Sequence, residues 1–260
     1  MKKIYFLLLL LSTFWGYSFA DEDVNEIVNK ANLTAYYGGY DGRAVVTMTI
    51  TDSQQRERKR VFKLLRLDVL DGSEQKYYVY FLEPSDVRDM VYMVWKQMNK
   101  EDDRWMYLSA LDLVKRISAS DKRSSFVGSN FVYEDISGRD IDLDTHELIF
   151  SEGLEYKIRN TPKDLKNLEF FYFDVYINKE NFMPVKAEYY DQKGKLTRVV
   201  EALEVKDIQG HPTVIKSKAR DLITGSETII EFSDVEYDIG IDDSVFTERY
   251  LRNPPRKWLK

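Results

Sequence analysis

From residue 43 to residue 51 the chain alternates in character, with Ala44, Val46, Met48 and Ile50 on one side and Val45, Thr47, Thr49 and Thr51 on the other. A period of two is the signature of a half-buried β-strand. The pattern returns over residues 59–68, 75–82, 90–96 and 104–109, and in a second series over 170–178, 185–191, 196–208, 213–222 and 227–237. The breaks between strands are short and turn-like: Asp71-Gly72, Glu83-Pro84-Ser85, Gln209-Gly210 and Thr224-Gly225-Ser226. Such breaks cannot hold the crossover helices that parallel strands require, so the strands must form an antiparallel meander and not an α/β fold. A sheet of ten or so strands curls or closes to protect its edges, and a curled sheet encloses either a packed core or a cavity. The expected fold is mainly β, one large curved sheet with a few helices over its concave side.

Those helices are few. Residues 21–33 place Val24, Ile27, Val28 and Ala31 on one face, with Asp21 available as a cap. Residues 110–168 are less regular, with a short helix expected near 130–136 and a further strand near 154–158. The bulky residues expected to point inward include Met48, Phe62, Tyr78, Trp95, Trp105 and Phe171. Methionine and aromatic side chains suit a surface that repacks around variable alkyl chains, and they equally suit an ordinary core.

The first twenty residues carry Lys2 and Lys3, an apolar run from Ile4 to Leu11, and Tyr17-Ser18-Phe19-Ala20 before Asp21. This is the layout of a cleavable secretory signal cut after Ala20, and the apolar run is short for a membrane span. We therefore expect a signal peptide over residues 1–20, one domain over residues 21–260, and a location in the periplasm. Loss of Lys2 and Lys3 moves the net charge from −6 to −8. That balance argues against nucleic acid as a partner. With no cysteine, the chain has no disulfide and no thiolate metal site, and it must be stabilised by its core.

Catalytic patterns do not emerge. Histidine occurs only at positions 146 and 211. Asp140, Asp142, Asp144 and Glu147 loosely imitate a calcium loop, but the loop glycine is missing and Glu147 comes too early. Gly128-Ser129 lacks the preceding glycine of a nucleophile elbow. No cofactor, metal or enzymatic activity is expected.

The most distinctive stretch spans residues 102–131. From Arg104 to Arg123, the basic residues Arg104, Lys115, Arg116, Lys122 and Arg123 stand against Asp112 and Asp121, in a chain that is acidic overall. Within and around it run Arg104-Trp105-Met106-Tyr107-Leu108, Val114-Lys115-Arg116-Ile117 and Ser125-Phe126-Val127-Gly128-Ser129-Asn130-Phe131-Val132-Tyr133-Glu134-Asp135, preceded by Phe81-Leu82-Glu83-Pro84-Ser85-Asp86-Val87-Arg88. These motifs, with Pro184 to Asp191 and Asp243 to Leu251, resemble the LolA-like outer-membrane lipoprotein-sorting proteins, specifically the longer branch found beside exporters of the resistance-nodulation-division (RND/MMPL) type. Ser109, Asp89 and Asn130 depart from the family's usual Pro, Gly and Asp.

The resemblance implies an incomplete antiparallel β-barrel with a helical lid over a hydrophobic cavity. It also implies a monomeric periplasmic carrier that takes lipid or acylated-protein cargo and works with an RND/MMPL-type exporter. On that reading Met48, Phe62, Tyr78, Trp95, Trp105 and Phe171 would contact acyl chains. Arg104, Lys115, Arg116, Lys122 and Arg123 would meet head groups or the partner at the rim. The alternative is a non-carrier accessory protein that docks on an envelope exporter, and an envelope hydrolase is a third possibility.

Overall fold

A computed structural model describes residues 23–69, 73–97, 100–118, 123–166 and 168–259. The signal-like segment, with Asp21, lies outside the described residues, as do Lys122 and the turn at 71–72. One antiparallel sheet of thirteen strands forms the molecule. The first series is β1 (Asp41–Thr51), β2 (Glu57–Asp68), β3 (Gln75–Glu83), β4 (Val91–Lys96), β5 (Asp103–Leu108) and β6 (Leu113–Arg116). The second is β7 (Asp144–Glu152), β8 (Glu155–Pro162), β9 (Tyr172–Asn178), β10 (Pro184–Tyr190), β11 (Leu196–Ile208), β12 (His211–Asp221) and β13 (Ser226–Tyr237).

The two meanders join where β1 pairs with β13, with Met48 opposite Ile230. This leaves β6 and β7 as the two sheet edges. The chain between them, residues 117–143, therefore passes from one edge of the sheet to the other. It is the irregular region of the sequence, and it carries helix α2 (Tyr133–Ser137). Three strands escaped the period-two reading in whole or part. β6 is only four residues long, β7 has a bulge between Leu148 and Phe150 that breaks its alternation, and β8 extends four residues beyond the expected 154–158.

Helix α1 (Val24–Tyr36) starts later than expected and is capped by Asp23, whose carboxylate accepts from the Asn25 N–H at 2.9 Å. Its buried face is Ile27, Val28 and Ala31, packed on Tyr156, Ile158 and Ile177 of β8 and β9. A strand residue holds its far end. Arg66 donates to the Tyr36 carbonyl at 2.8 Å and Gln75 donates to the same oxygen at 2.7 Å. These bonds satisfy carbonyls that a helix end leaves without partners.

Over β2–β5 the sheet is buried on both faces. On the concave side Leu64, Val79, Tyr92 and Met106 stand opposite one another across four strands. On the convex side Leu65, Tyr78, Met93 and Trp105 do the same, all buried. The convex ladder is covered by the C-terminal segment through Ile241, Val245, Phe246 and Leu251 of the last turns and helix α3 (Arg249–Arg252). Asp41 directs that segment outward, accepting from the N–H groups of Ile239 at 2.8 Å and of Gly240 and Ile241 at 2.9 Å. Trp95 then donates to the Phe246 carbonyl at 2.8 Å, and Tyr78 to that of Tyr250 at 2.7 Å.

Candidate functional site: a lidded cavity on the concave face

The concave face divides into a filled half and a hollow half. The crossing segment fills the first by inserting Phe126, fully buried, with its ring 6.1 Å from Phe62, 5.6 Å from Tyr92 and 5.5 Å from Tyr133. Burying such a ring contributes about 2 kcal/mol, so this half is a core in the ordinary sense. Met48 and Phe81 belong to the same cluster.

The second half is a cavity of about 440 Å³. This is within the range of small-molecule sites, which run from about 300 to 1,000 Å³. Val28, Ala31 and Ala35 of α1 roof it. Val46, Leu64, Ile158, Val175, Ile230 and Phe232 supply the apolar walls. Small residues keep it open: Gly42 and Ala44 on β1, Ala202 on β11. A Cβ at Gly42 would sit 3.0 Å from the Tyr237 ring and 3.1 Å from the Glu236 carbonyl, so this wall has no room for a side chain.

One wall is charged. Glu134 of α2 accepts from Arg123 at 3.0 Å and from Arg139 at 3.1 Å. Arg139 also grips Asp144 with two hydrogen bonds of 2.8 Å, Arg123 pairs with Glu169, and Arg198 pairs with Asp135. Burial works against the charge of Arg123, but its hydrogen bond to Glu169 and the nearby Asp135 carboxylate more than offset this and hold its pKa above the usual range. The guanidinium lies 5.0 Å from the Phe170 ring centre, and that of Arg198 lies 4.8 Å from Tyr189. These ion pairs fasten the crossing segment to the barrel, while Arg198 keeps one buried nitrogen, Nη1, without a hydrogen-bond partner. His146 and Asn160 complete this side, with His146 Nδ1 2.7 Å from Asn160 Oδ1.

The structure separates the residues singled out in the sequence. Phe62 lines the cavity and Met48 lies beside it in the packed half. Tyr78, Trp95 and Trp105 are on the opposite, convex face, under the C-terminal segment. Phe171 is at a strand entrance and partly exposed. The physical reason is that β3 and β4 are apolar on both faces, so alternation alone does not say which face is concave.

The basic group divides as well. Lys115 and Arg116 are exposed on edge strand β6, with Arg116 paired to Asp103 and 5.1 Å from the Trp105 ring centre. Arg104 and Arg123 turn inward, where Asp102 neutralises the first and Glu134 and Glu169 the second. The calcium-like acids are occupied otherwise: Asp140 caps a turn through the Asp142 N–H, and Asp144 holds Arg139. Among the described residues no helix is long and apolar enough to cross a membrane.

An open, curled antiparallel sheet with a helix over a hollow concave face is shared with known proteins. A family model described as that of an uncharacterized protein matches residues 73–253. A DUF1329 family protein from Desulfovibrio piger has the same fold with a TM-score of 0.79 and 28% identity, over 88% of this chain and 97% of its own. A putative outer membrane lipoprotein-sorting protein domain from Vibrio parahaemolyticus matches equally well, with a TM-score of 0.79, 27% identity and coverage of 87% and 97%. The chain belongs to the DUF1329-like family of that model, and its fold is that of the outer membrane lipoprotein-sorting domain. A LolA superfamily protein from Nitrosomonas europaea, 19% identical over 87% of this chain and 98% of its own, shares the fold with a TM-score of 0.68. No curated protein matches the sequence. Within this LolA-like fold the cavity lies between the lid helix α1 and the second series of strands, and the crossing segment with the family-like Ser125–Asp135 motif closes the other half.

Proposed function

We propose that the protein is a periplasmic carrier that takes acyl chains of a lipid or an acylated protein into the cavity beneath α1 and moves them between envelope membranes. The observation that carries this reading is the apolar hollow of about 440 Å³ roofed by a single helix. Each buried methylene contributes about 0.8 kcal/mol, so a short acyl segment supplies micromolar affinity with no chemistry at all. Release needs only a movement of α1 or a competing acceptor. The signal-like residues 1–20 support an envelope location. The resemblance of residues 81–88 and 104–135 to the exporter-associated branch supports an RND/MMPL-type exporter as the partner that loads or unloads it.

The test is a titration of the delipidated protein with a fluorescent polyene fatty acid. Saturable binding in the micromolar range, competed by unlabelled acyl chains of similar length, is the expected result. A folded protein that leaves the probe in water would overturn the reading.

A further inference from the structure

The strand registers bring several chain reversals to one end of the barrel. Thr51 stands opposite both Glu57 and Glu227, Arg198 opposite Asp221, and Tyr190 opposite Tyr172. The hairpin tips at 52–56, 191–195 and 221–226 therefore share a rim with residues 163–166 and 168–171, tied to it by the bond from the Phe171 N–H to the Tyr190 carbonyl at 2.7 Å. Leu143 joins the same rim, accepting from the Lys163 N–H at 2.9 Å.

That rim carries large apolar side chains in water. Ile223 is 70% exposed, Leu165 43%, Leu222 42% and Phe171 38%. They follow one another along the arc from β12 to β7, and lysines 163, 166, 193 and 195 stand among them. Acids in the same tips are turned back into the turns. Asp221 accepts from the N–H groups of Ile223 at 2.8 Å and Thr224 at 3.0 Å, Asp191 from those of Lys193 at 2.8 Å and Lys195 at 2.9 Å, and Asp164 from that of Lys166 at 2.9 Å. The carboxylates thus stiffen the tips while leucine and isoleucine project with Lys166, Lys193 and Lys195; the Lys163 ammonium donates instead to the Asp142 carbonyl at 2.7 Å.

We propose that this rim is a membrane-docking surface, in which Leu222, Ile223, Leu165 and Phe171 enter the head-group layer of a bilayer and Lys166, Lys193 and Lys195 meet its phosphates. Isolated apolar points around a rim form no groove for a complementary protein, whereas a fluid, planar surface accepts them all at once. Lysine suits the flanking positions because its stem lies along apolar surface while the ammonium stays at the polar level. With lysines and aspartates nearly balanced, the apolar contacts dominate, so binding should persist in high salt. This surface is separate from the cavity, and it stands whether or not the cavity carries acyl chains.

The experiment is flotation of the mature chain with vesicles of phosphatidylglycerol and phosphatidylethanolamine. The Leu222→Ser/Ile223→Ser and Leu165→Ser/Phe171→Ser pairs are compared with the unaltered protein. The unaltered chain should float with the vesicles in low and high salt. Each pair of changes should weaken partitioning about tenfold, while melting and fatty-acid binding stay unchanged. Failure of the unaltered chain to bind vesicles, or binding that both pairs retain in full, would overturn the proposal.

Discussion

Arg66 on β2 and Tyr36 at the end of α1 are joined by a 2.8 Å hydrogen bond from guanidinium to carbonyl, so the second strand of the barrel holds the end of its lid. The same guanidinium reaches the Gly39 carbonyl at 2.7 Å and the Asp68 carboxylate at 2.8 Å. Arg66→Leu takes the guanidinium from the Gly39 carbonyl and removes the charge that balances the buried Asp68 carboxylate, leaving the amide of Gln75 to bond Asp68 and the Tyr36 carbonyl. The expected cost is about 3 kcal/mol of stability, together with faster amide hydrogen exchange along α1. Exchange in α1 no faster than in the unaltered protein would show that Arg66 does not hold the lid.

Within the basic stretch, position on the fold decides what each cation does. Lys115 and Arg116 are exposed, and replacing both by glutamine should move melting by no more than a degree or two. Arg123→Gln, which leaves Glu134 short of a partner inside the barrel, should cost about 3 kcal/mol. Denaturant titration of the two variants side by side checks this, and equal losses would contradict the assignment of Arg123 to the interior.

The charge pattern of residues 104–123 did not reveal this division. A guanidinium that neutralises buried acids and one that faces water have the same local sequence. What separates them is which strand edge or loop the chain has reached. The strands and their antiparallel order were legible because residues such as Ala44, Val46, Met48 and Ile50 keep a strict period of two. The cavity walls were not, for two reasons. β3 and β4 bury both faces, so Tyr78 and Trp95 read as well inward as outward. And the hollow is made by what is small, Gly42, Ala44 and Ala202, while attention to bulky residues leads to the filled parts of the barrel.

Trp105 on the convex face provides a control. It is buried against Trp95, with ring centres 5.1 Å apart, beneath the C-terminal segment. Trp105→Ala should cost 3–5 kcal/mol or thereabouts and loosen residues 241–251, while the protein that remains folded binds fatty acid as before. Loss of binding at a temperature where the variant is folded would connect the convex core to the cavity.

Acid should weaken the fold through Asp174. Burial pushes its pKa up, but hydrogen bonds from Arg159 at 2.8 Å and Lys157 at 3.0 Å outweigh this and hold it below the ordinary aspartate value. A group depressed in the folded state contributes stability above its unfolded pKa of about 4 and loses it as pH falls through the lower folded value. Asp174→Asn should therefore flatten the decline of melting temperature below pH 4. A decline as steep as that of the unaltered protein would assign the acid sensitivity to other carboxylates.

The central claim is that the hollow beneath α1 holds acyl chains, and native mass spectrometry of the protein purified from the cell envelope tests it most directly. Ala202 lines the hollow from β11 without being part of the tightly packed half, so Ala202→Trp fills it from a position that tolerates the added volume. The account predicts that the unaltered protein carries adducts of lipid or acyl mass, removable by organic extraction. It predicts that the Ala202→Trp protein, equally folded, carries few or none. Adducts that persist unchanged in Ala202→Trp, or an unaltered protein that is bare and stays bare when acyl ligands are added, would contradict it.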